Sequence, residues 1–328
     1  MKYLSGALKF NQINITKKTS LLLKASFLVI AFSYIAYVAI NHKGFNQDFL
    51  HSLEKISQNN IFFLLFIVLL MPVNWFAEAF KWKILVNPLQ SISYFQSIKG
   101  IISGISMSFL TIGGVGDYLG RALHIDKINR TTIIGITLVN GVYQNLITYA
   151  CGGAGLIFLF SDSLNKTGIY LAWVGLTIIT LFIITLLFNI HFLLSFKKLS
   201  KHIQPLKAYS TLDKIKITLA SLFRYSIILI QYFCILYALQ IEIGFVDFFT
   251  GISLMLLLKS VIPRFSFLSD LGIREFSALL FFSNLGLNPA DIISSTLLLW
   301  LLNILLPAIT GLFMIAKKDF TKKPTSID

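Results

Sequence analysis

SFLTIGGVGDYLGRALHI, residues Ser108–Ile125, decides how the chain is threaded. An apolar run gives way to Gly113, Gly114 and Gly116, and then to Asp117 and Arg121, four residues apart. That spacing puts the acid and the base on one face of the helix that leaves the glycine turn. The free N–H groups and dipole at such a helix start favour an anion such as a phosphate. The plainer alternative is a static pair in which Asp117 neutralises Arg121, as buried charges often do.

The surrounding composition fixes the class. Of 328 residues, 56% are hydrophobic and 13% charged, which leaves too little polar surface to cover a soluble domain. Apolar segments run over Leu21–Ile40, Ile61–Phe80, Thr131–Phe160, Ile169–Leu194, Ile217–Ile241 and Ile292–Ala316. Each reaches the roughly 20 residues that a hydrocarbon core about 30 Å thick requires. The expectation is an all-α polytopic membrane protein with six spanning helices. The net charge of +14 comes from lysines clustered beside apolar segments, a pattern that orients helices and gives no nucleic-acid-binding face. Lys2, Lys9, Lys17, Lys18 and Lys24 accompany the first apolar run with no small-residue cleavage site after it, which reads as an uncleaved signal-anchor. Cys151 and Cys234 lie in apolar stretches and the five histidines are scattered, so neither a disulfide, a metal site nor a cofactor is expected.

Basic residues flanking short loops face the cytoplasm. Lys197, Lys198, Lys201, Lys207, Lys214 and Lys216 put the loop Ser195–Lys216 inside, and Lys81, Lys83 and Lys99 vote the same way for their region. The basic N-terminus (residues 1–20) and the tail with Lys317, Lys318, Lys322 and Lys323 (residues 317–328) are also inside, flanking one transmembrane domain over 21–316. Both termini are then cytoplasmic in a bacterial-type inner membrane. Parity requires the chain between the second and third spans to leave and return on one side, yet Ile98–Ile112 is too short to cross. A re-entrant helical hairpin near 98–126 satisfies both conditions. The same reasoning places a second hairpin, entering from the other side, near 248–287. Spans and hairpins repeated in opposite orientation are how secondary transporters build a site at the midplane. Between the first two spans, Phe45, Phe49, Leu53 and Ile56 recur at helical spacing, which suits a short helix on the membrane surface.

Other residues carry possible chemistry. In the second hairpin Asp270 suits an N-cap for a helix holding Arg274 and Glu275, with Gly272 between them and Lys259 and Arg264 just before the turn. Glu78, three residues before Lys81, reads either as an interfacial pair beside Trp75 and Trp82 or as a cavity-lining acid. Asn140, Tyr143, Gln144 and Asn145 either line a cavity or bond neighbouring helices, and Gly152, Gly153 and Gly155 suit close helix packing.

EAFKWKIL (78–85), the glycine stretch above and SDLGIREFSALLFFSNLGL (269–287) together resemble the transmembrane region of lysylphosphatidylglycerol synthases and related stand-alone flippase-like membrane proteins, over roughly Ile61–Ala316. Gly113, Gly114, Gly116, Asp117 and Arg121 match that family's first motif, with Asp for Glu and Ile112 for a proline. Gly272, Arg274 and Glu275 match the second, where Ser269 and Asp270 replace glycines. The resemblance implies movement of an amphiphilic lipid between leaflets. The synthases carry a soluble aminoacyl-transferase domain, whereas this sequence ends shortly after its last span, so translocation without lipid synthesis is expected. No nucleotide-binding motif occurs, which leaves passive scrambling or an ion gradient. The expected function is translocation of a phospholipid or polyprenyl-linked lipid, with Arg121 and Arg274 on the phosphate and Asp117 and Glu275 on those arginines or on a cationic head group. The alternatives are a non-transporting partner of a separate lipid-modifying synthase or glycosyltransferase, and a lipid transferase built on isolated outer-loop acids such as Asp162 and Asp247.

Overall fold

The computed structural model describes residues 61–111, 115–126, 128–189, 209–262 and 267–316, with isolated positions between 33 and 55. The expected first span, the glycine tip at 112–114 with Gly113 and Gly114, Arg264, most of the lysine loop, both tails and the apolar residues of the expected surface helix lie outside them. Among the described residues all regular structure is helical: α1 (Ile61–Val86), α2 (Tyr94–Leu110), α3 (Val115–Ala122), α4 (Arg130–Leu159), α5 (Lys166–Phe188), α6 (Thr211–Ala238), α7 (Phe245–Val261), α8 (Phe267–Phe282), α9 (Pro289–Trp300) and α10 (Leu306–Ala316). A π-helical turn, Leu301–Leu305, joins the last two into one rod. Among the described residues five helical stretches are long and apolar enough to span: α1, α4, α5, α6 and the α9–α10 rod.

Several helices begin before their apolar runs do, because polar side chains cap them. Ser93 accepts from the Gln96 amide while the Gln96 side chain accepts from the Ser93 amide, so α2 starts at Tyr94 and not at Ile98. Ser210 and Asp213 do the same for α6, and Asn129 caps α4. Even so, the 17 residues of α2 reach only about 25 Å, and the 8 of α3 about 12 Å. Each of these shorter helices folds back on its neighbour, α3 on α2 and α8 on α7.

The packing repeats. Helix α1 lies along α6 at the centre; α2 packs against α10, and its counterpart α7 packs against α4. Exchanging α1 with α6, α2 with α7, α3 with α8, and α4 with the α9–α10 rod reproduces these pairings together with α3 on α4 and α8 on α9. Helix α5 stands outside this scheme, packed on α4, with no buried side chain. Near the start of α9, Ser52 is buried and donates to Asp291 Oδ1, while Asn288 Nδ2 donates to Asp48 Oδ2 at 3.1 Å, so this part of the 41–60 segment is tied to the helical body.

Glycines set how closely the helices approach. Gly116 lies inside α3 and not at a turn, and a Cβ there would run into the Met107 backbone. Gly120, one helical turn on, meets the Ser103 backbone in the same way. The two therefore let α3 lie backbone to backbone on α2, as small residues four apart do in membrane helices. Gly152 faces Leu257 of α7 and Gly153 faces Leu176 of α5, the close packing expected of that cluster. Gly120→Ala should lower stability by about 1–3 kcal/mol, because backbone cannot move aside as a side chain can. Gly141, whose added Cβ would meet nothing within 4 Å, gives the contrast: Gly141→Ala should gain roughly 0.5–1 kcal/mol. Thermal unfolding of the two purified variants beside the parent protein measures both.

Candidate functional site

Four helices converge on one carboxylate. Glu78 of α1 is only 5% exposed, and its Oε1 accepts from Arg121 Nη2 of α3 at 3.1 Å and from Asn140 Nδ2 of α4 at 2.6 Å. Its Oε2 lies 3.3 Å from Lys81 Nζ and accepts from Arg224 Nη1 of α6. Gln144 of α4 closes the network: its Oε1 accepts from Lys81 at 3.3 Å and from Arg224 at 3.2 Å, and its Nε2 donates to the Ser221 carbonyl at 3.3 Å. Arg224 is held on its other side by Asn74, whose Oδ1 accepts from Nε at 2.8 Å.

Arg121 is 6% exposed and is fixed from three directions. Asp117 Oδ1 accepts from its Nε at 2.8 Å, Glu78 takes Nη2, and the Trp82 ring centroid lies 4.8 Å from the guanidinium carbon. Among the described residues its buried Nη1 has no hydrogen-bond partner, and neither does the buried Asn140 Oδ1. Lys81, Arg121 and Arg224 thus face Glu78 and Asp117, three cations against two acids in a largely buried network. A positive surplus and an unfilled guanidinium N–H at that depth are costly unless an anion completes them.

The second hairpin carries a related cluster. Asp270 Oδ2 lies 3.3 Å from Arg274 Nη2 on the same helix, and its Oδ1 lies 3.3 Å from Lys259 Nζ of α7. Arg274 Nη1 donates to the Tyr232 hydroxyl of α6 at 3.4 Å. The two hairpins therefore share a frame: an acid and an arginine four residues apart on the returning helix, with the arginine against an aromatic residue of the preceding long helix. Asp117, Arg121 and Trp82 form it in one half, and Asp270, Arg274 and Tyr232 in the other. Along the central α1–α6 seam, Gln231 Nε2 donates to the Ile67 carbonyl at 3.2 Å and Asn303 Nδ2 to Gln231 Oε1 at 3.1 Å. Asn303 belongs to the π turn, a widening that recurs at functional sites.

Of the residues singled out by sequence, Glu78, Asp117, Arg121, Asn140 and Gln144 come together in the first cluster, and Lys259, Asp270 and Arg274 in the second. Asn140 and Gln144 both bond neighbouring helices. Asp270 is not an N-cap: it lies inside the first turn of α8, where it bridges two cations. Arg274 makes its ion pair with Asp270, one helical turn earlier, and none with the adjacent Glu275, whose oxygens make no well-formed hydrogen bond among the described residues. Lys81 and Trp82 are 0% and 1% exposed, so burial in the helix bundle replaces the interfacial anchoring expected of them. Arg224, Asn74, Gln231, Tyr232 and Asn303 escaped the sequence reading. A single arginine inside an apolar span was signal enough for Arg224.

Comparison with curated proteins finds no significant match. Residues 22–311 match the family described as "Lysylphosphatidylglycerol synthase TM region". That match takes in both hairpins, both clusters and all five long apolar stretches except the last residues of α10. The chain belongs to the lysylphosphatidylglycerol synthase transmembrane-region family and is an integral membrane protein.

Proposed function

We propose that the protein translocates a phospholipid or polyprenyl-linked lipid between leaflets and that the first cluster binds the head-group phosphate. The observation that carries this reading is the surplus of buried positive charge around Glu78, with Arg121 Nη1 left unfilled. Arginine binds phosphate oxygens through a planar fork and stays charged when buried. A head group that adds a hydroxyl to its phosphate also offers a donor to Asn140 Oδ1, which is next to Arg121 because both bond Glu78 Oε1. The short α2, the fold-back of α3 and α8, and the exchange of packing partners between halves are what two re-entrant hairpins of opposite orientation require. Arg274, held in the same frame, offers the second phosphate contact on the way across.

Reconstituted vesicles carrying a labelled anionic phospholipid test the reading. Arg121→Gln or Arg224→Gln should slow lipid movement about tenfold or more, the scale of one lost charge-assisted hydrogen bond. Arg121→Lys, which keeps the charge but not the fork, should fall between. Unchanged movement in both Gln variants contradicts the head-group site. Absence of movement by the parent protein, with stable co-purification of a lipid-modifying synthase or glycosyltransferase, would instead identify a non-transporting partner. Glu78→Gln removes the acid shared by three cations and should cost about 3–5 kcal/mol of stability, read as a lowered Tm.

A further inference from the structure

We infer that Glu275 is a binding site for a small monovalent cation, a proton or a sodium ion. Its side chain is only 4% exposed, and among the described residues neither carboxylate oxygen makes a well-formed hydrogen bond, with the Thr296 hydroxyl as its polar neighbour. A buried carboxylate in that condition is among the costliest groups a protein can hold, and a bound cation removes the cost directly. Within membrane helices such acids mark proton and ion pathways.

Among the described residues the nearby cations make their ion pairs with Asp270, and Arg274 acts on Glu275 only through its field. Arg274 precedes Glu275 by one residue, which sets the two side chains about 100° apart around α8. Its guanidinium is turned to Asp270 at 3.3 Å and to the Tyr232 hydroxyl of α6 at 3.4 Å. From α7, Lys259 lies 3.3 Å from Asp270 Oδ1. From α9, Asp291 is engaged by Ser52, and Thr296 is the neighbour of Glu275. The Thr296 hydroxyl has one hydrogen to share between the Ile292 and Ile293 carbonyls, at 3.1 and 3.0 Å, and Glu275; when the hydrogen goes to a carbonyl, its oxygen lone pairs are available to a cation beside the carboxylate.

Nor is Glu275 part of the frame that the two halves share. Where Arg274 is followed by Glu275, Arg121 is followed by Ala122, so the paired acid and arginine hold without this carboxylate in the first hairpin. The extra acid makes the halves chemically unequal: the first leaves a guanidinium N–H unfilled and the second leaves a carboxylate unfilled. A cation at Glu275 provides a gradient with a place to act on the second hairpin. The site stands on its own residues and does not depend on what the first cluster binds.

Infrared difference spectra of the full-length protein in lipid nanodiscs test the site, with protons titrated in sodium-free buffer and sodium titrated at fixed alkaline pH. If the ligand is a proton, the parent protein shows a carboxylic-acid band that is lost in Glu275→Gln and kept in Thr296→Val. If it is sodium, the parent shows a sodium-dependent shift of a carboxylate band that is lost in both variants. Should Glu275→Gln fail to fold, Glu275→Asp makes the same assignment by moving the band instead of removing it. Spectra that titrate identically in the parent and the Glu275 variant under both cations overturn the inference. Lipid movement in vesicles is a separate readout, so an inactive parent protein with an intact Glu275 band counts against translocation and not against the cation site.

Discussion

One carboxylate holds the centre of this protein. Glu78 accepts from or pairs with Arg121, Asn140, Arg224 and Lys81, and in doing so joins α1 to α3, α4 and α6. Low dielectric makes each of these contacts strong and each missing partner expensive. The network therefore fixes where the returning helix of the first hairpin sits: Arg121 reaches Glu78 only because Gly116 and Gly120 let α3 lie directly on α2. A methyl group at either glycine presses on backbone and threatens the same salt bridge. Packing and electrostatics in this half are one constraint met from two sides.

The second half repeats the frame with different chemistry attached. An acid and an arginine one turn apart recur on α8, and the arginine again meets an aromatic residue of the preceding long helix. The additions differ: Arg224 and Lys81 make the first cluster cationic, whereas Lys259 and Glu275 accompany the second. Between them run α1 and α6, joined by Asn74 to Arg224 and by Gln231 to the Ile67 carbonyl. The Gln231 amide also reaches Asn303 in the π turn, which links the seam to the last rod. Because α6 supplies Arg224 to one cluster and Tyr232 to the other, any shift of α6 against α1 is felt by both.

Much of the fold was legible in sequence because membrane spans are written as local hydropathy. The stretches around Ile61, Thr131, Ile169, Ile217 and Ile292 all appear as long helices, extended at their starts where Asn129, Asn165 and Ser210 act as caps. The shorter helices were legible too, since the apolar segment that becomes α2 is visibly shorter than the others. The site was legible only in part. Asp117 and Arg121 announce each other from four residues away, but Arg121 and Glu78 are separated by 43 positions and Arg224 and Glu78 by 146. Nothing local in the sequence says that three cations will share one acid. Lys81 pairs with Glu78 only three residues earlier, yet its full burial and its bond to Gln144, 63 positions away, are not written in the local sequence.

The opposed entry of the two hairpins is the premise on which lipid translocation rests, and side-specific labelling of single cysteines in intact cells measures it directly. The probes are Thr111→Cys, beside the first tip, and Ser269→Cys, beside the second, each in a chain whose Cys151 and Cys234 have been replaced. Labelling of position 111 chiefly from the cytoplasm and of position 269 chiefly from outside is the predicted result. Labelling of both from the same side would contradict the inverted arrangement and with it the paired phosphate sites.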